Sequence, residues 1–153
     1  MPNVEYEDEL RTLAAQPVGT TVFVEETRER LIAVGNVPAH IAARLHWTQQ
    51  NIWLPGHARD YILGRHAIFP DVFAAVQAVL SAPSGIYVSQ KRPNCVLFLA
   101  DAGMLHQRQL LSSDSVPYVD AIIERRVVTG GFYLRCFHLS PATRNKGGLR
   151  LWP

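Results

Sequence analysis

A chain of 153 residues, 48% hydrophobic and 18% charged, is long enough to bury the core of a single domain and too apolar to be disordered. Its formal net charge of +2 is compatible with a polyanionic partner and far short of requiring one. The acidic, polar stretch from Pro2 to Leu10 does not read as a signal peptide, and no apolar run approaches the ~20 residues of a membrane span, so a cytoplasmic protein without membrane contact is expected.

In chain order, Asn3 caps a helix predicted from Val4 to Ala15, with Glu5, Glu7 and Asp8 in its first turns, where the macrodipole favours negative charge. Pro17-Val18-Gly19 ends it. Thr20 to Glu25 is β-branched and alternating, hence a strand. Thr27 to Val34 reads as a short helix stopped by Gly35, and Asn36 caps another that opens at Pro38 and runs to His46. Ile52 to Leu54 is a short strand, and after a Pro-Gly turn a helix is expected from Pro55 to His66. Pro70 opens the next helix, Asp71 to Leu80, with Val72, Val76, Val79 and Leu80 as its apolar stripe.

Beyond the breaker Pro83-Ser84-Gly85 the pattern turns to β. Strands are predicted at Ile86 to Ser89 and Cys95 to Ala100 around a basic turn, at Leu105 to Leu111, and at Tyr118 to Val128 and Phe132 to Leu139. The last pair is joined through Thr129-Gly130-Gly131, a hairpin signal. The tail from Pro141 to Pro153, with Arg144, Lys146 and Arg150, reads as loop. Helices first and strands afterwards indicate an α+β fold with N-terminal helices packed on a C-terminal antiparallel β-sheet. No GxGxxG or GxxxxGK[ST] supports a dinucleotide or P-loop domain.

The residues that carry chemistry concentrate between Pro55 and His66. His57, Tyr61 and Arg65 recur every four residues and share one helical face, and His66 follows Ile62 on the adjoining one. An imidazole passes protons near neutral pH, and a guanidinium holds a phosphate through two parallel hydrogen bonds. Together they suit phosphodiester cleavage, in which a 2′-hydroxyl loses a proton and a leaving oxygen gains one. A surface helix whose terminal Arg65 and His66 answer the C-terminal dipole accounts for the same spacing. Lys91 and Arg92 at the tip of a predicted hairpin offer phosphate contacts or simply solubilise a turn. Arg135 and His138 have opposite parity, so a regular strand aims them at different faces unless a bulge intervenes. The six histidines form no HxH or HExxH pair, and Cys95 and Cys136 make no CxxC clip, so no metal or other cofactor is expected and both cysteines read as buried free thiols.

The order strand, Tyr61-Ile62-Leu63-Gly64-Arg65-His66, helix and antiparallel strands resembles the phage-associated branch of the barnase–EndoU–colicin E5/D–RelE nuclease superfamily. Pro38 to Leu45 and Ile52-Trp53-Leu54 extend the resemblance, which covers about residues 36 to 139; Tyr61 stands where the family's helix motif often carries its first histidine. The resemblance implies a metal-independent ribonuclease domain at 51–140, between an N-terminal extension (1–50) and a basic C-terminal tail (141–153). It implies an RNA substrate and, where such a domain is a toxin, a cognate inhibitor protein. On that reading His66 is acid or base, Tyr61 or His57 is the second proton-handling or orienting group, and His138 or Arg135 completes the site from the last strand. Arg65, Lys91, Arg92, Arg135 and Thr129 are the candidates for phosphate and substrate contacts. A nuclease-like binding module without catalysis is the competing expectation.

Overall fold

The computed structural model describes residues 14–24, 28–112, 116–126, 131–140 and 148–153. Among them an eight-stranded sheet is the organising element. The elements run β1 (Thr21–Val24), β2 (Glu29–Asn36), α1 (Ala39–Arg44), β3 (Asn51–Pro55), a 3-10 turn (Gly56–Ala58), α2 (Arg59–Leu63), a second 3-10 turn (Gly64–Ala67) and α3 (Val72–Ser81). Next come β4 (Gly85–Val88), β5 (Cys95–Asp101), α4 (Ala102–Gln107), β6 (Tyr118–Arg125), β7 (Phe132–Ser140) and β8 (Arg150–Trp152). The strands lie in the order β1-β2-β3-β7-β6-β5-β4-β8. Neighbours are antiparallel except β3 and β7, which pair in parallel through Ile52 with Phe132 and Trp53 with Tyr133.

Strand alternation assigns the side chains to two faces. The first face carries Val34, Leu54, Phe98, Ala121, Leu134 and Phe137, and α3 covers it with Val72, Ala75, Val76 and Val79. Asp71 caps α3 by accepting the Ala74 N–H at 3.1 Å, which satisfies one of the free donors of the first turn. Gln77 locks the helix to β2: its Oε1 accepts the Asn36 N–H at 2.7 Å and its Nε2 donates to the Asn36 carbonyl at 2.9 Å. Gly35 makes this approach possible, because a Cβ there would lie 2.8 Å from Leu80 Cδ1 and 3.0 Å from Gln77 Oε1. Gly35→Val is therefore expected to cost ~1–3 kcal/mol by overpacking, read as a loss of about 2–4 °C in Tm per kcal/mol in a thermal melt. An unchanged Tm would show that α3 has room to shift. The second face holds a smaller cluster of Val24, Leu31, Ala33, Trp53 and Tyr133.

The coarse α+β character holds, but its arrangement differs from helices in the first half packed on strands in the second. The segment predicted as a helix from Thr27 to Val34 contains strand β2. Its apolar run Leu31 to Val34 is buried throughout because β2 is covered on both faces, and a short continuous run does not distinguish strand from helix. The predicted strand Leu105 to Leu111 is overturned by α4, where Ala102 and Leu105 place their buried side chains at helical spacing. The expected helix from Pro55 to His66 is a single turn of α-helix between two 3-10 turns. Part of the tail is strand β8, paired with β4. The helix predicted from Val4, the Thr129-Gly130 turn and the tail from Pro141 to Gly147 lie outside the described residues.

Candidate functional site

β3 ends at Pro55, while its parallel neighbour β7 continues to Ser140. The chain leaves the sheet there and enters the turns and short helix of Gly56–Ala67. Phe69, fully buried, anchors the far end of this segment: its ring packs on Phe137 with centroids 4.7 Å apart, and its N–H donates to the Arg65 carbonyl at 2.8 Å. The Arg65 end of the segment is thereby anchored on the first face of β7, while His57 at its other end lines the cleft beside Glu124 and Arg135.

β7 itself is irregular at the decisive place. Ile122 of β6 faces Cys136, while the next residue, Ile123, faces Leu134, so Arg135 is the extra residue of a β-bulge. The bulge changes the parity of the strand. Leu134 and Phe137 both join the core on the first face, and Arg135 and His138 both stand on the second. The opposite-parity objection drawn from the sequence is removed by the one interruption that lifts it.

On the second face, His138 Nε2 lies 3.8 Å from Asp120 Oδ2, whose carboxylate is buried. Arg135 Nη1 donates to Glu124 Oε2 at 3.0 Å, and Glu124 Oε1 accepts from Arg126 Nε at 3.2 Å. Arg126 reaches on to Glu29 at 3.3 Å and lies over the Tyr133 ring, 4.2 Å from its centroid. His57, Ala58, Glu124, Arg126, Tyr133, Arg135 and Cys136 line a cleft of about 300 Å³.

Arg65 donates from Nη2 to the Tyr61 hydroxyl at 3.0 Å, the contact that their four-residue spacing allows. Its Nε is buried without an acceptor among the described residues. A buried guanidinium N–H left in that state is a donor that a bound anion would satisfy. The charges of Arg65 and Arg92 both reach Cys136. Burial nonetheless pushes that thiol above its ordinary value, with Arg92 and Arg65 pulling it down. Cys95 is likewise raised, first by burial and then by the Glu124 carboxylate, against the pull of Arg92. Both cysteines are free, and burial, by raising both thiols, favours their protonated form, which disfavours either as a nucleophile.

The structure thus brings His57 and Arg135 to one cleft and sets His138 on the same face of β7 as Arg135. Arg65, bonded to Tyr61, is near enough for its charge, like that of Arg92, to reach Cys136 of the cleft wall. Lys91 is exposed on the β4–β5 turn, with no described contact to the cleft. His66 belongs by its backbone to the second 3-10 turn, but its side chain lies outside the description, as does Thr129. Asp120 and Glu124 were not anticipated. Asp120 had a readable signal, a carboxylate between Val119 and Ala121 in an apolar strand, since a buried Asp is almost always paired. Among the described residues no group of three or more His, Cys, Asp and Glu could hold a metal ion, and no helix is long and apolar enough to cross a membrane. No family model, curated protein or solved structure matches the chain.

Proposed function

We propose that this protein is a metal-independent RNA endonuclease whose site lies between β7 and the Gly56–Ala67 segment. The observation that supports this reading best is the bulge at Arg135, which puts a cation and the His138–Asp120 pair on one face. In the proposed reaction His138, oriented by Asp120, takes the proton of the 2′-hydroxyl. The 2′-oxygen forms a bond to phosphorus, the bond to the 5′-oxygen breaks, and His57 supplies the proton that the leaving oxygen needs. Arg65 and Arg135 hold the phosphate as charge builds on its oxygens, with Tyr61 steadying the Arg65 guanidinium. The products are a 2′,3′-cyclic phosphate and a 5′-hydroxyl. The test is incubation of purified protein with RNA in EDTA, with the new ends identified by mass spectrometry. Cyclic phosphate ends support the proposal; intact RNA, or cleavage that appears only on adding metal, overturns it.

One feature favours a second reading, a binding module that does not cleave. Glu124 occupies the cleft and engages both Arg126 and Arg135, so part of the cationic charge is already answered. Glu124→Gln separates the two readings. In a ribonuclease it releases Arg135 toward phosphate, and kcat/KM is expected to rise about 1.4-fold to fivefold, as the ~0.2–1 kcal/mol of a partly exposed ion pair allows. In a module that docks a basic protein surface, the same change weakens partner binding and no cleavage accompanies it.

A further inference from the structure

The cleft does not end at His57. The same imidazole lines a second hollow of about 450 Å³, whose walls include Phe23, Arg28, Glu29, Arg30 and Arg59. Phe23 and Arg30 are direct cross-strand partners, and the neighbouring pairs Thr21 with Ile32 and Ile32 with Leu54 place them on the first face. The hollow is therefore on the side of the sheet opposite Arg135 and Glu124, and the two cavities meet over the end of β3, at His57.

The contents of this hollow are unlike an ordinary solvated rim. Three guanidiniums and an imidazole face one carboxylate, and that carboxylate, Glu29, is turned to Arg126 at 3.3 Å. Among the described residues no ion pair holds Arg28, Arg30 or Arg59. Beside them Phe23 stays 46% exposed, an aromatic ring on an edge strand. Unengaged cations along a groove, with an exposed aromatic ring among them, are what a single-stranded nucleic acid uses: phosphates take the cations and an unpaired base stacks on the ring.

We infer that this hollow is a flanking-nucleotide subsite for single-stranded RNA, an inference that rests on the ribonuclease reading. One base stacks on Phe23, and the adjoining phosphates lie on Arg30 and Arg59. The strand then crosses the rim of the sheet at Gly56-His57 and presents its next phosphodiester to the cleft on the second face. A duplex has no free base face for Phe23, so the site selects an unpaired segment.

The test measures binding apart from cleavage. A fluorescein-labelled octamer with every 2′-hydroxyl methylated lacks the nucleophile, and its affinity is read by fluorescence polarisation across a salt series. Relative to the unchanged protein, Arg30→Gln/Arg59→Gln is expected to weaken binding about tenfold or more. It should also flatten the slope of log Kd against log salt by about 1.4, since each single-strand phosphate contact contributes ~0.7. Phe23→Ala is expected to weaken binding about tenfold with the slope unchanged, the signature of a lost stack rather than a lost charge. Arg30→Lys/Arg59→Lys should keep the slope, which separates charge from misfolding.

Variants that bind the octamer as the unchanged protein does would overturn the subsite, and if RNA is still cleaved the ribonuclease reading survives that loss. Loss of binding in the variants of a protein that never cleaves keeps the subsite and removes the nuclease. Equal affinity for a duplex of the same length overturns the single-strand selection, and no binding by the unchanged protein overturns the subsite outright.

Discussion

His138→Ala is expected to lower kcat/KM for RNA cleavage in EDTA by about 10²–10⁴-fold, the usual contribution of one positioned general acid or base. The His138 side chain is partly exposed and its truncation opens no core cavity, but it removes a partner of the buried Asp120 carboxylate, so a fall in Tm is expected beside the loss of chemistry. His57→Ala belongs in the same experiment. If the two imidazoles share one proton-transfer cycle, the double variant should lose far less than the product of the single losses, because groups acting as a unit are not additive. A His138→Ala protein that cleaves at the original rate would place the base elsewhere, and the first residue to examine would be His66, the histidine that ends the 61–66 motif.

The second large effect concerns stability. Phe69→Ala removes a fully buried ring packed on Phe137 and is expected to cost ~3–5 kcal/mol, from lost transfer energy and the cavity left behind. At about 2–4 °C per kcal/mol for a chain of this size, the Tm should fall by roughly 6–20 °C. Because the Phe69 N–H also ties the Arg65 carbonyl, the variant should loosen the site segment below its melting point. That shows as a rise in KM at temperatures where the protein remains folded. Phe69→Leu, which keeps much of the volume, should recover most of both effects. Equal losses in the two variants would show that the ring's shape, rather than its bulk, holds the segment.

How far the sequence could be read depends on the range of each signal. The helix over 71–80 and the strands near 86–89, 95–100 and 132–139 were legible because their patterns are local: a capping Asp71, a stripe at helical period and β-branched runs between breakers. Leu31 to Val34 misled because burial on both faces erases the alternation that marks a strand. Leu105 to Leu111 misled in the opposite sense, since the first half of that stretch belongs to a short helix too brief to display a period. The contact between Tyr61 and Arg65 was legible as a four-residue spacing. The union of Arg135 with His138 was not, because a bulge is defined by the partner strand and leaves no mark in the bulged one. Asp120 and Glu124 meet β7 only through strand register, which pairs residues far apart in the chain.

The parallel pairing of β3 with β7 also bears on how the molecule assembles. β7 is among the later strands in the chain and a central one in the sheet, seated between β3 and β6. Until it arrives, β3 presents an unpaired edge, and two partial sheets, β1-β2-β3 and β6-β5-β4, have no strand to join them. A ribosome adding 5–20 residues per second needs about 4–15 s to proceed from Pro55 to Phe132, and the open edge exists throughout. Such distant pairing means a high contact order, which favours folding in milliseconds to seconds rather than microseconds. It also exposes the nascent chain to edge-to-edge aggregation. Arg135 and His138 are both carried by β7, so the proposed site cannot form before the strand that closes the sheet has been made.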